Sequence, residues 1–206
     1  MDSKELNEII TASLPEKVLR SSDIPSLDLY LDQILTLVSD KTENSATSGE
    51  LTKTMINNYS KDGLIKPVKG KKYTKEHIVQ MLIIYYMKGI LSISDIKRIF
   101  DGVYSDPEFG GSDLIASYDR FLDIRATEGE LCGSMIEHLT EKTGLDPGKT
   151  DEFFIMLMSL VSVCDCLKSS ALEMISRRYP QKESPEKVKE KKNKKSAEIV
   201  KDEDSE

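Results

Sequence analysis

The chain has 206 residues and a formal net charge of -7, with 32 % of residues charged and 38 % hydrophobic. That length holds one domain or two small ones around a real core, with part of the chain too polar to fold. Trp is absent and aromatics reach only 6 %, so Leu, Ile and Met supply the apolar bulk, which favours helices over a β-sandwich or barrel. Three cysteines, Cys132, Cys164 and Cys166, are too few and too unevenly spaced for a disulfide framework and fit a reducing cytoplasm. In a helix, Cys164 and Cys166 point roughly 200° apart, so no metal or other cofactor is expected. The longest uncharged apolar run, Phe153 to Cys164, falls short of the roughly 20 residues that span a bilayer. A soluble, cytoplasmic protein without membrane contact is the expectation.

An acidic mean charge argues against nucleic acid, but the charge is segregated. From Leu51 to Ile78 stand Lys53, Lys61, Lys66, Lys69, Lys71, Lys72 and Lys75, against only Asp62 and Glu76. Screening confines each charge to about 10 Å, so a local patch matters more to a phosphate than the mean does.

In chain order, Ser3 caps a short helix with Leu6, Ile9 and Ile10 on one face, ended by Leu14-Pro15. A linker containing Ser21, Ser22 and Pro25 follows, so residues 1–25 read as N-terminal helix and linker. Ser26 caps a stronger helix carrying Leu27, Tyr30, Leu31, Ile34, Leu35 and Val38 at helical spacing, with Asp28 in its first turn. Ser39 to Gly49 has the composition of a loop.

The next helix runs from Thr52 to Asp62 and stops at Gly63. Leu51, Met55, Ile56 and Tyr59 form its inward stripe. Lys53, Thr54, Asn57, Ser60 and Lys61 lie opposite, with Asn58 on the flank. Such short polar and basic side chains bond phosphates or base edges. The competing reading is a merely solvated face. Against it, this face is nearly free of acids in an acid-rich protein, and a basic turn follows directly. That turn, Ile65 to Tyr73, holds Pro67 and Gly70 between the β-capable runs Leu64-Ile65 and Lys72-Tyr73. Its four lysines repel one another unless an anion such as a DNA backbone lies nearby.

Thr74 to Lys88 is an apolar helix, closed by Gly89. Thr74 caps it, although His77 is not the Glu or Gln of a full capping box. Ser92, with Asp95, caps a second helix to Phe100, with Ile93, Ile96, Ile99 and Phe100 as its stripe. Helix, basic turn, helix, helix is the order of a small winged helix-turn-helix module.

The run Ile56, Tyr59, Lys61, Gly63-Leu64-Ile65, Pro67, the basic pair before Tyr73-Thr74, Ile78, Gly89, Ser92 and Asp95-Ile96-Lys97 resembles the DNA-binding domain of MerR-type regulators. With Asn57-Asn58-Tyr59 and Lys71-Lys72-Tyr73-Thr74 it is still more similar to a bacterial domain-of-unknown-function family with a MerR-like core, common in Gram-positive Firmicutes. The resemblance covers Ser26 to Phe100. It implies an all-α fold, a MerR-like winged helix-turn-helix with a small β-wing over residues 26–104; helical patterning then gives C-terminal helices over 105–179, and the composition of 180–206, almost without apolar residues, reads as a disordered charged tail. The resemblance also implies a transcriptional regulator that binds double-stranded DNA as a homodimer. Helix 52–62 would be the recognition helix and 66–72 the wing, with Thr52, Lys53, Thr54, Asn57, Asn58, Tyr59, Lys61, Lys69, Lys71, Lys72 and Tyr73 as contacts. Tyr59 matches the second tyrosine of the family helix, Lys61 its following Arg, Lys71 the wing Arg and Tyr73 the final wing tyrosine. Asn57 and Asn58 depart from the usual Arg and Tyr, the wing is shorter, and the first helix lies across an unusually long loop.

Beyond Asp106-Pro107 and Gly110-Gly111, Ser112 caps a helical region to Lys142 that Gly129 and Gly133 break, and Thr150 or Asp151 caps a last helix to Arg178. This part either completes one core or forms a dimer seam or pocket. No residue supports a small-molecule effector. An enzyme is not expected: His77 and His138 lack a nucleophile at motif spacing, and Gly110-Gly111 lacks a downstream Gly-Lys-Ser/Thr. The alternative function is a protein-interaction adaptor on the same fold that has lost DNA binding.

Overall fold

The computed structural model describes residues 2–13, 18–41 and 51–180. The expected turn at Leu14-Pro15, most of the loop before Gly49 and the charged tail lie outside them. Among the described residues the protein is mostly helical, with one small sheet: α1 (Ser3–Ser13), β1 (Leu29–Tyr30), α2 (Leu31–Lys41), α3 (Lys53–Lys61), β2 (Lys72–Tyr73), α4 (Lys75–Met87), α5 (Ile93–Val103), α6 (Gly111–Arg125), α7 (Glu128–Glu137) and α8 (Thr150–Arg178). A short π-helical turn, His138–Lys142, continues α7.

The main core is built around α4, where Ile78, Val79, Met81, Leu82, Ile84 and Tyr85 are all buried. A helix apolar on every side is stable only when other elements surround it. Ile34 and Val38 of α2, Ile56 and Tyr59 of α3, Ile96 and Phe100 of α5, and Leu114, Tyr118 and Leu122 of α6 complete this core. Each fully buried aliphatic side chain contributes about 1.5–3 kcal/mol. The first C-terminal helix, α6, therefore completes the core begun upstream.

Several expected ends are corrected. The segment opening at Ser26 begins as a strand: β1 pairs antiparallel with β2, Leu29 opposite Tyr73 and Tyr30 opposite Lys72. Helix α2 starts only at Leu31, where the Gln33 side chain accepts from Tyr30 N at 2.9 Å. Leu27 and Tyr30 are accordingly exposed instead of buried in a helical stripe. Asp2, not Ser3, caps α1, exchanging hydrogen bonds with Glu5 (2.7 and 2.8 Å). Lys88 ends α4, and Gly89 does not take the left-handed conformation of a C-cap. Ser112 lies inside α6, and the break before α7 falls at Ala126-Thr127, with Gly129 and Gly133 both helical.

The expected linker before Pro25 is a strap clamped onto α6. Leu19 and Ile24 are buried. The Tyr118 hydroxyl donates to Leu19 O at 2.6 Å, Ser21 N donates to Asp119 Oδ1 at 3.0 Å, the Ser21 hydroxyl bonds Asp119 Oδ2, and Arg20 pairs with Asp123 at 2.8 Å. A second, smaller cluster joins α1 to the C-terminal helices: Leu6, Ile136, Leu139 and Met156, flanked by Met135, Leu145 and Leu160.

Helix α8 is 29 residues long, about 44 Å at 1.5 Å per residue. Only Met156 and Ile175 are buried along it, whereas Phe154, Leu157, Met158, Val161, Leu167 and Met174 are exposed. Length and composition alone would let it cross a bilayer, because the helix continues well beyond the apolar run Phe153 to Cys164.

Burial lifts the phenols of Tyr86 and Tyr118, and burial with nearby Glu76 pushes Tyr104 up to about 12. An unfolded tyrosine titrates near 10. The folded state thus holds these protons more tightly, so this contribution to stability is complete below about pH 10 and lost as pH rises towards 12. Phenolate absorbance and loss of helical circular dichroism are expected to rise together in that window. Tyr118→Phe, which strands the Leu19 carbonyl, should lower the urea-unfolding free energy by about 1–3 kcal/mol.

Candidate nucleic-acid interface

Helix α3 starts where Thr52 Oγ1 accepts from Met55 N at 3.2 Å. It ends in a Schellman arrangement, with Leu64 N donating to Tyr59 O (2.8 Å) and Gly63 N to Ser60 O (3.2 Å). Gly63 takes φ +68°, the left-handed conformation that this cap needs and that glycine adopts without a Cβ penalty. Lys97 Nζ, from α5, donates to Asp62 O (2.8 Å) and Gly63 O (3.3 Å). A cation on the last carbonyls offsets the negative end of the helix dipole. The short helix is thus held at both ends.

Ile56 and Tyr59 anchor α3 in the core. Thr52, Lys53, Thr54, Asn57, Asn58, Ser60 and Lys61 are all exposed, and no acid stands between Lys53 and Lys61. The inward stripe and outward polar face follow the expected periodicity.

The basic turn is a two-residue hairpin. Gly70 and Lys71 have φ +60° and +61°, and Lys72 N donates to Lys69 O at 3.2 Å. Positive φ at both central positions is the type I′ pattern, whose twist matches that of the flanking strands. At Lys71 a lysine occupies a backbone conformation that costs an L-residue about 1–2 kcal/mol. Lys72 lies between Lys69 on one side and β1 on the other. Lys69, Lys71 and Lys72 are exposed, and Lys72 Nζ lies 5.5 Å from the Tyr30 ring centroid.

The arm leading into this hairpin is fixed from beneath by Gln80, a 1 %-exposed residue of α4. Its Nε2 donates to Leu64 O at 2.6 Å, and its Oε1 accepts from Lys66 N at 3.3 Å. The amide thereby takes the place of a neighbouring strand. At the hairpin's exit, Thr74 N donates to His77 Nδ1 at 3.2 Å, and the Thr74 hydroxyl lies 2.7 Å from the same nitrogen. His77 thus fills the position expected to require Glu or Gln.

Two of the expected contacts and one lysine of the expected wing are not exposed. Tyr59 and Tyr73 are buried, at 5 % and 7 % exposure, and both belong to the main core. Desolvation raises the Tyr59 phenol pKa, and Tyr73 packs edge-on against His77 at 6.1 Å. Their rings support the surface from below. Lys66, counted in the wing, turns inward: its Nζ pairs with Glu76 at 2.6 Å and lies 3.9 Å from the Tyr104 ring centroid. The remaining exposed cations are Lys53 and Lys61 on α3 and Lys69, Lys71 and Lys72 on the hairpin. Sequence reasoning missed Gln80, Tyr30 and Lys97. For Gln80 the available signal was a lone polar residue in a helix otherwise apolar all round.

Among the described residues, no three His, Cys, Asp or Glu side chains converge on a common point, and Cys132, Cys164 and Cys166 are all exposed.

These elements form a mainly helical domain in which a two-stranded sheet fixes a lysine hairpin beside a polar-faced helix. Residues 19–121, half of the chain, match the model of the family described as Domain of unknown function (DUF1836), and the protein belongs to that family. No curated protein and no solved structure matches the chain.

Gln80→Leu keeps the size of the buried side chain but leaves Leu64 O and Lys66 N–H without those partners. A loss of about 1–3 kcal/mol follows, with faster amide exchange expected over residues 64–73 than over α4. Unchanged exchange there would remove Gln80 from its supporting role.

Proposed function

We propose that this protein is a bacterial, cytoplasmic transcriptional regulator that binds double-stranded DNA through a MerR-like winged helix-turn-helix. In this reading α2 and α3 form the helix-turn-helix, α3 enters the major groove, and the Lys69–Lys72 hairpin is the wing that holds the flanking backbone. The observation that carries it is the acid-free exposed face of α3, followed by a tightly folded hairpin presenting three exposed lysines, in a chain of net charge -7. Lysines on such a hairpin bind phosphates without reading sequence, whereas Asn57 and Asn58 have the paired donor and acceptor that recognise adenine. Buried Tyr59 and Tyr73 leave backbone contact to the lysines.

Phe154, Leu157, Met158 and Val161 of α8 support a homodimer. They recur at i, i+3, i+4 and i+7, so one helical face is exposed and apolar. Membrane insertion fits less well, because Asp165 and Lys168 would enter the bilayer at roughly 2.5–3.5 kcal/mol each if centrally placed. A two-fold dimer presents two copies of α3 to two half-sites.

The decisive measurement is binding to a selected DNA site across a salt series. Lys71→Ala with Lys72→Ala is expected to weaken binding to every sequence and to flatten the salt slope by up to about two units. Asn57→Ala should instead relax preference at one base pair, by about 1–3 kcal/mol. A double-lysine variant that binds like the parent at every salt concentration would falsify the wing assignment.

The inward-turned tyrosines and Asn57 also favour a second reading, an adaptor on the same fold whose partner is a protein. No DNA binding tighter than micromolar at low salt, together with a stable protein complex, selects it. In either reading Val161→Glu should convert a dimer into a monomer by sedimentation equilibrium while leaving helical content unchanged.

A further inference from the structure

The sheet that carries the hairpin has two faces. Leu29 stands opposite Tyr73, and Tyr30 opposite Lys72. Side chains directly opposite one another share a face, and successive residues alternate between faces. Leu29 and Tyr73 pack against the main core, so Tyr30 and Lys72 point outward, where both are exposed. Across the turn, Lys72 is also bridged to Lys69. Lys69, Lys72 and Tyr30 therefore form one lateral row on the outer face, with neighbouring strands about 4.8 Å apart.

The two lysines of this row repel each other unless an anion lies over them. Tyr30 bounds the pair at its open end. Its ring centroid is 5.5 Å from Lys72 Nζ, within the roughly 6 Å over which a ring face attracts a cation. The ring thus steadies the middle ammonium, and the phenol adds a hydroxyl of the kind that bonds phosphate oxygens. Beyond Tyr30 the surface turns acidic. Asp28, two residues earlier, and Asp32, in the first turn of α2, are both exposed. A lysine in place of Tyr30 would be drawn towards those carboxylates. A neutral hydroxyl is not.

We infer that Tyr30 is a further DNA-backbone contact: its hydroxyl donates to a phosphate oxygen at the edge of the lysine wing, and its ring holds the Lys72 ammonium over the same stretch of backbone. The contact rests on the DNA-binding reading of α3 and the hairpin. It also sets where that footprint ends, because Asp28 and Asp32 repel a phosphate placed beyond it.

The test is fluorescence anisotropy of a labelled mixed-sequence DNA duplex, titrated with the full chain across a salt series, since a backbone contact carries no sequence information. Tyr30→Phe keeps the ring and removes only the hydroxyl. It is expected to weaken binding about fivefold, as for loss of a hydrogen bond to a charged acceptor. The loss should be the same at every salt concentration, because a neutral donor releases no counterion, whereas Lys72→Ala flattens the salt slope. Tyr30→Ala, which also frees the Lys72 ammonium, should weaken binding further. The melting temperature of Tyr30→Phe should equal that of the parent. A parent that does not bind the duplex removes the DNA reading itself, and this contact with it. With the parent bound, Tyr30→Phe titrations that match it at every salt concentration overturn the contact alone and leave the lysine wing standing. A Tyr30→Phe loss with a flattened slope shows the hydroxyl acting only through Lys72, and a lowered melting temperature assigns it to the fold; either result overturns the contact.

Discussion

The lysine hairpin depends on one buried amide. A single hairpin is marginal in water, and β1 and β2 contribute only two residue pairs. Gln80 adds two hydrogen bonds from inside the core, to Leu64 O and Lys66 N. Those two residues connect the Schellman cap of α3 to the hairpin, so α3, the arm and α4 are linked by hydrogen bonds through one side chain. The burial of Gln80 is what makes this effective: no water competes for Leu64 O, and an unpaired glutamine there would cost more than its two bonds return. The positions of the lysines follow from this clamp.

The same arm separates two kinds of lysine that look identical in the sequence. Lys66, turned inward, is neutralised by Glu76 and covered by the Tyr104 ring. Lys69, Lys71 and Lys72 stand outward, two to five residues beyond Pro67, which has no backbone N–H to donate. Alternation along an extended chain sends neighbours to opposite faces, and the type I′ turn then resets that alternation at Gly70-Lys71. Counting charge along the segment overstates what reaches the surface by two lysines, Lys66 and Lys75, although Glu76 leaves the counted total with Lys66.

How legible this was depended on range. Helices α3, α4 and α5 were readable because their signals are local: Thr52 and Ser92 cap the helices they precede, Gly63 stops α3, and Leu51, Ile56 and Tyr59 recur at helical spacing. The exposed face of α3 followed from the same periodicity. Strand β1 was not readable, because Leu29-Tyr30 is a strand only through pairing with residues more than forty positions away, and its apolar pattern continues smoothly into α2. The strap failed for the same reason: Ser21, Ser22 and Pro25 have the composition of a linker, and only Asp119 and Tyr118 on α6 make that segment structural. Tyr59 and Tyr73 were placed among the contacts through family resemblance; the burial of Tyr59 follows the periodicity that turned it inward.

The strap has a topological consequence. Leu19 is hydrogen-bonded to Tyr118, and the family match runs from residue 19 to residue 121. The chain enters and leaves the domain at one place, so the domain is a closed loop whose two ends share a pole. Whatever precedes it and whatever follows it must set out from that pole side by side. That explains why α1 and α7, more than a hundred residues apart in sequence, pack on each other and share a small core of their own. The paired flanks carry the bare apolar helix while the closed loop carries the lysines, and the two parts touch where α8 packs on α5, with the Tyr179 ring against Gly102.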